Sequence, residues 1–276
     1  MRRWVIAGAG ALVLAAVGPA TAADIPVAPI VKAPVAAPPP TQSWYGFYIG
    51  IHGGYGWGRE AVTATPDAFY GPLLALAGLP LSAAGDPKGA IGGVQWGSNW
   101  QFDRIVLGTE SDFSYSDIKS TQNLAGVVFG LPFNAMVEQR LKWLATTRVR
   151  GGVLMTDNVL LYATGGLASG RVESSTISTI GPPGSCALPG PCPAGSAQKD
   201  RYGWVAGGGI EMSEGPWQFR AEYLHYDLGT LTYNVFDPAL PGSLIVNQVR
   251  FNGDIVRGAI SYRFNWTPWE LIFGRS

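Results

Sequence analysis

The sequence predicts an all-β fold, an eight-stranded antiparallel up-and-down transmembrane β-barrel, and three observations lead to it. Only 14% of the residues are charged, against about 25% in a typical soluble domain. Beyond the first 22 residues there is no run of 18 apolar residues, so helical membrane spans are not expected. Large apolar residues instead alternate with small or polar ones, which indicates strands whose two faces meet different surroundings.

The N-terminus has the three parts of a secretory signal peptide, which we predict to cover residues 1–22. Arg2 and Arg3 precede an apolar stretch, and the small residues Ala20 and Ala22 form a cleavage pattern. The apolar stretch is shorter than the roughly 20 residues that a spanning helix needs. We therefore expect an exported chain.

Residues 23–43 differ in composition from everything that follows. Six of them are proline, at positions 26, 29, 34, 38, 39 and 40. Proline fixes φ and removes a backbone donor, so neither a helix nor a central strand is expected. We predict an extended periplasmic tether, for which a plain spacer is a simpler role than docking to a periplasmic partner.

Alternation defines one domain over residues 44–266. In the first strand, odd positions such as Ile49 and Ile51 are apolar, whereas even positions are mostly glycine and include Tyr48. The same rule in residues 139–153 places Leu141 outward and Lys142 inward. The eight predicted strands cover residues 44–58, 88–101, 104–117, 139–153, 158–172, 201–213, 217–228 and 249–266.

The predicted connections also alternate, between short and long. Tight turns follow the second, fourth and sixth strands, whereas the connections 59–87, 118–138, 173–200 and 229–248 are long. Short turns at one end and long loops at the other are typical of outer-membrane barrels. The loops are unusually apolar, which suggests strand extensions, a cover over the barrel mouth or contact surfaces. A soluble lipocalin-like barrel is the alternative, but its apolar face would point inward.

Charged residues fall on the strand face opposite the large aromatic residues. A lumen network of mutual ion pairs is therefore predicted, because buried charges are normally paired. Acid–base catalysis by paired carboxylates is the alternative. The predicted members of the network are Glu110, Asp112, Arg148, Arg150, Glu211, Arg220, Glu222, Arg257 and Arg263.

Two cysteines, Cys186 and Cys192, lie in the third long connection. An oxidising compartment favours a disulfide between them, and their spacing is not that of a thioredoxin-like redox pair. The only histidines, His52 and His225, are on different strands and give little support to a metal or haem site. We expect no cofactor and no enzyme, and the net charge of zero argues against a nucleic-acid partner.

Several segments resemble the opacity-related (Omp25/RopB-like) outer-membrane β-barrels of alphaproteobacteria. They are the first strand from Trp44 to Trp57, together with the motifs at 107–113, 161–166, 221–229 and 256–264. The resemblance implies an eight-stranded barrel in the cell outer membrane, surrounded by lipid and lipopolysaccharide. One departure is that such barrels usually end on the aromatic residue of the last strand, whereas residues 267–276 follow here as a predicted tail.

We therefore expect a structural or surface-interaction role in the Gram-negative cell envelope, with envelope or host-surface partners contacting the long loops. A small porin-like passive channel for solutes is the alternative. An outer-membrane enzyme, such as a lipid A acylase or a protease, would need a polar catalytic cluster near the rim, and the sequence has no such pattern.

Overall fold

The computed structural model describes residues 43–76, 78, 80–128, 130–181, 192–238 and 242–266. The predicted signal peptide, nearly all of the tether and the tail 267–276 lie outside these residues. The described elements are β1 Gly46–Trp57, β2 Glu60–Pro66, α1 Tyr70–Leu76, β3 Ser82–Gly85, β4 Lys88–Phe102, β5 Ile105–Val128, β6 Leu131–Thr156, β7 Val159–Ile180, β8 Ala194–Glu214, β9 Trp217–Phe236 and β10 Leu244–Arg263.

Eight of these strands form a closed ring in the order β1-β4-β5-β6-β7-β8-β9-β10, and β1 also pairs with β10. All of the pairings are antiparallel, and the closing pair runs in register from Tyr48 opposite Arg263 to Trp57 opposite Asp254. Closure leaves the ring without an edge strand. The predicted eight-stranded antiparallel barrel is confirmed.

The barrel has a short-turn end and a long-loop end, as predicted. Residues 103–104, 157–158 and 215–216 make the short turns. At the long-loop end, the connection 59–87 contains β2, α1 and β3, and β2 pairs with both β10 and β3. The described helix α1 is seven residues long. No helix in the described ranges is long and apolar enough to cross a membrane.

The prediction of a long loop at residues 118–138 is wrong. Strands β5 and β6 continue through this region and stay paired up to Val128 opposite Leu131. The long hairpin is stable because each strand supplies the backbone hydrogen-bond partners that the other needs. Leu124 and Val137 also pack inward there, so the pair buries apolar surface well beyond the predicted strand ends. The connections predicted at 173–200 and 229–248 are also shorter than expected, because the strands extend to Ile180 and Phe236 and resume at Ala194 and Leu244.

The two faces of the wall differ as alternation predicts. Val149 is 67% exposed on the outer face, whereas the adjacent Arg148 is 1% exposed inside. Leu141 and Lys142 are an exception, because the register with β7 shifts between Leu141 and Trp143. This bulge turns Leu141 inward and Lys142 outward, so the predicted placement of these two side chains is wrong.

Candidate functional site

The barrel interior contains a compact cluster of eight charged side chains, four carboxylates and four guanidinium groups. Strand β5 supplies two acids, β6 two arginines, β8 one acid, β9 one of each and β10 one arginine. None of these residues is more than 6% exposed. The members are Glu110, Asp112, Arg148, Arg150, Glu211, Arg220, Glu222 and Arg257.

Three of the contacts join residues that are directly opposite on neighbouring strands. Glu110 is opposite Arg148, and the Arg148 Nη2 donates to Glu110 Oε1 at 2.5 Å. Arg257 is opposite Glu222, and its Nε donates to Glu222 Oε2 at 2.7 Å. Arg220 is likewise opposite Glu211 and donates through Nε at 2.9 Å. These pairs support the strand register, because opposite charges at facing positions stabilise a sheet.

Other contacts cross the lumen between strands that are not neighbours. Arg148 on β6 reaches Glu222 on β9 with an Nη1 to Oε1 distance of 3.1 Å. Arg150 on β6 reaches Glu211 on β8 at 2.6 Å. Arg220 Nη1 on β9 also donates to Glu110 Oε2 on β5. The side chains therefore fill the space between opposite walls instead of lining an open channel.

Three hydroxyl groups that we did not predict complete the cluster. Tyr48 donates to Glu110 Oε2 at 2.5 Å, and Tyr162 donates to Glu222 Oε1 at 2.8 Å. Thr146 donates to Asp112 Oδ2 at 2.6 Å. A sequence signal existed for Tyr48, since it is a large polar residue on the otherwise small, inward-facing side of the first strand.

The glycines of the wall make room for these tyrosines. A Cβ at Gly97 would lie 2.5 Å from the Tyr48 hydroxyl, and a Cβ at Gly209 would lie 2.8 Å from the Tyr162 hydroxyl. A narrow barrel can therefore hold two rings and four arginines in its interior only because the facing positions have no side chain.

Apolar layers lie on both sides of the charged cluster. Toward the short-turn end, Trp44 is fully buried and packs with Val106, Leu154 and Leu160. Its indole Nε1 donates to the carbonyl oxygen of Asp157 at 3.0 Å, which holds the ring at the end of the lumen. Toward the long-loop end is a larger apolar layer, with Ile118, Leu144, Val172, Leu228, Leu231 and Ile255 among its buried members.

Arg263 does not join the charged cluster, so that part of the predicted network is wrong. Its guanidinium donates to the carbonyl oxygens of Gly215 at 3.0 Å and Tyr45 at 3.5 Å. Arg263 is the last residue of β10, next to the turn at residues 215–216, and so it lies too close to the rim to reach the central acids. Its exclusion leaves equal numbers of acids and arginines in the cluster.

The two histidines lie on opposite faces of the wall. His52 faces the interior, with Nε2 2.8 Å from Ser114 Oγ. His225 is partly exposed on the outer face, with Nδ1 2.8 Å from Asp254 Oδ1. They cannot share one ligand. Cys186 lies outside the described residues, so its disulfide with Cys192 stays a prediction.

The arrangement is suited to structure more than to proton transfer. Each of the four buried carboxylates has at least two arginines within 4 Å. A carboxylate that acts as a general base must be free to take up a proton, and strong ion pairing opposes this. The geometry therefore favours a set of fixed charges.

Comparisons with known proteins agree with this architecture. The family model "Outer membrane protein beta-barrel domain" matches residues 11–264. The 31 kDa outer-membrane immunogenic protein of Brucella melitensis is 34% identical, over 89% of this chain and 93% of the relative. The 25 kDa outer-membrane immunogenic protein of Brucella abortus is 28% identical, over 86% of each chain.

Among solved structures, the outer membrane protein OprG from Pseudomonas aeruginosa covers 81% of this chain and 98% of its own, with a TM-score of 0.49 and 12% identity. The resemblance to the opacity-related barrels is confirmed, and so is the location in the outer membrane. The relatives are named as outer-membrane proteins and not as enzymes. This chain belongs to the outer membrane protein β-barrel domain family.

Proposed function

We propose that this protein is a closed outer-membrane barrel that acts through its wall and its outer surface, not through passage of solutes. The observation that carries the proposal is the filled interior. The charged cluster occupies the lumen between the apolar layer at Trp44 and the larger apolar layer toward the long-loop end. A passive channel needs a continuous polar path, and both apolar layers interrupt it.

The charged cluster is also expected to keep the lumen closed. A solute could pass only if arginines and carboxylates on opposite walls separated, for example Arg148 from Glu222 and Arg220 from Glu110. Removing one partner from a buried ion pair costs about 3–5 kcal/mol, because it leaves an uncompensated buried charge. Thermal fluctuations would rarely supply a free energy of this size for several ion pairs at once.

The surface role is supported by large apolar side chains that are exposed at the long-loop end. Leu76 on α1 is 81% exposed, and Val127 near the tip of the β5–β6 hairpin is 60% exposed. Phe69 and Leu131 are also exposed at this end. Exposed apolar groups that lie near one another often mark interfaces, so this end is the expected contact surface for envelope or host molecules.

Planar-bilayer recordings test closure. We expect the full-length protein to give no large, stable conductance. A double variant, Glu110→Ser with Arg220→Ser, removes a pair that crosses the lumen and should raise the frequency of openings. Arg171→Ser is the matched control, because Arg171 pairs with Asp200 on the exposed surface. Large, stable channels from the unaltered protein would contradict the proposal.

A cell-attachment assay tests the proposed role of the outer surface. We expect Val127→Lys with Leu131→Lys to reduce the attachment of expressing cells to host-cell monolayers. Thr121→Lys is the control, since it adds a charge to the exposed side of the same hairpin. Equal attachment by cells with the double variant and cells with the unaltered protein would refute a contact role for this hairpin without affecting the conclusion on conductance.

A further inference from the structure

A separate cavity lies at the long-loop end, between the upper barrel wall and the segment formed by β2, α1 and β3. Its volume is about 80 Å³. Leu74 on α1 and Leu81 before β3 form its outer side, and Phe133 and Val137 of β6 line the barrel side. Val62, Val137 and Val235 belong both to the cavity lining and to the larger apolar layer, so the cavity lies at the outer edge of that layer. The charged cluster does not line it.

The cavity walls are suited to an uncharged, apolar ligand. Val62, Ala135, Val137 and Val235 all line it, and all four are buried. No Asp, Glu, Lys, Arg or His side chain is among its described lining residues. A charged molecule would lose its hydration there without gaining a partner, which excludes ions as occupants.

Four polar but uncharged residues interrupt this apolar lining: Ser82, Thr176, Ser178 and Asn247. Asn247 of β10 lines the cavity and is only 4% exposed. Its amide Nδ2 donates to Thr176 Oγ1 at 3.2 Å and to the Tyr233 hydroxyl at 3.4 Å. Among the described residues, none is a hydrogen-bond partner of its Oδ1. Buried acceptors are nearly always satisfied, so a ligand that brings one hydrogen-bond donor would complete this group.

The outer side of the cavity is held in place by a polar anchor. Asp67 precedes α1, and its Oδ1 accepts the backbone N–H of Tyr70 at 2.8 Å as a helix N-cap. Its Oδ2 accepts the backbone N–H of Leu244 at 2.9 Å, which ties the helix to β10. The cavity is therefore formed before any ligand binds, which lowers the entropic cost of binding.

We propose that this cavity binds a small, uncharged, largely apolar molecule with one hydroxyl group, of the size of a phenol or a short-chain alcohol. The apolar part contacts Val137, Val235 and Leu74, and the hydroxyl donates to Asn247 Oδ1. For comparison, an engineered apolar cavity of about 150 Å³ binds benzene. At about 80 Å³ and only partly enclosed, this cavity is suited to a single small ring and to nothing larger.

Phenol and anisole are the probes, because O-methylation removes the donor and leaves the ring. We expect saturable methyl chemical-shift changes at Val137 and Val235 when phenol is titrated into the full-length protein in lipid nanodiscs. Anisole should bind about tenfold more weakly, as one lost hydrogen bond implies. Asn247→Leu should weaken phenol binding by a similar factor and remove the preference over anisole.

Ala135→Trp is designed to fill the cavity and abolish binding of both probes. Because that variant could disturb folding, Ala83→Phe on the outer side of the cavity is a second filling variant, and heat-modifiable gel migration reports folding for each. Val149→Ala on the lipid face is the control. Linear, non-saturating shifts, or shifts that persist in a folded filling variant, would overturn the proposal. Conductance is not involved in this test, so its outcome is independent of the closure proposal.

Discussion

Arg148 is the residue whose removal tests the charged cluster most directly. Its side chain is fully buried, and its guanidinium contacts Glu110 at 2.5 Å, Asp112 at 3.0 Å and Glu222 at 3.1 Å. Arg148→Ala leaves four acids against three arginines in a water-poor interior. Breaking one buried ion pair costs about 3–5 kcal/mol, so we expect a loss of at least this size in the free energy of unfolding.

The assay is urea unfolding of the refolded barrel in phospholipid vesicles at pH 7, followed by tryptophan fluorescence. Arg171→Ala is the matched control, because the Arg171–Asp200 pair is about 40% exposed on both sides. Exposed pairs contribute about 0–1 kcal/mol. Arg148→Met keeps much of the apolar volume of the side chain and separates the loss of charge from the loss of packing.

The three variants are expected to differ clearly in their free energy of unfolding. Arg148→Ala and Arg148→Met should both be much less stable than Arg171→Ala, with Met somewhat better than Ala. If Arg148→Ala lies within about 1 kcal/mol of Arg171→Ala, the buried pairs are not a net source of stability. If Arg148→Met is as stable as the unaltered protein, packing and not charge is what the guanidinium provides.

Three further predictions concern the wall, the helix anchor and the cysteines. Gly97→Val should lower the free energy of unfolding by about 1–3 kcal/mol, because it overpacks the lumen. Gly53→Ala should not be destabilising in this way, because its new Cβ would have no atom within 4 Å. Thermal melts in vesicles distinguish the two variants. Backbone N–H donors lower the pKa of Asp67, so the ionised side chain holds the start of α1 at any pH above the usual aspartate range. This stabilisation is progressively lost as the pH falls below about 4. Hydrogen exchange of the α1 amides, corrected for its intrinsic pH dependence, should therefore rise below that pH. Cys186 and Cys192 should resist alkylation until a reductant is added, and free labelling of the native protein would exclude the disulfide.

Alternation along single strands predicted much of the fold. Outward placement of Ile51 and inward placement of Glu110 and Arg148 follow from the two-residue period alone, because a strand has two faces and the surroundings of each face select the side chains. The two-residue period predicts the wrong side-chain direction where the register between strands shifts, as at Leu141 and Lys142. A bulge depends on how two strands pair, and one strand read alone does not contain that information.

The extent of the strands was harder to predict than their position. The hairpin of β5 and β6 continues to Val128 and Leu131, where we expected a loop. The strand signal there is weak because few residues are charged and the alternation is less regular. Pairing with a neighbour and burial of Leu124 and Val137 extend the strands beyond what local preference indicates.

By itself, the sequence determined that this chain forms a closed eight-stranded barrel with an apolar outside and charges inside. The reasons are that every backbone N–H and C=O group in lipid needs a hydrogen-bond partner, and that successive side chains of a strand point to opposite faces. Only the tertiary structure decided which charges meet. Closing the ring brings Arg220 of β9 to Glu110 of β5, and Arg150 of β6 to Glu211 of β8, across the lumen. The same closure leaves Arg263 at the rim and creates the cavity above Asn247. Distances across a lumen depend on the number, tilt and register of all eight strands together, which no single segment of the sequence specifies.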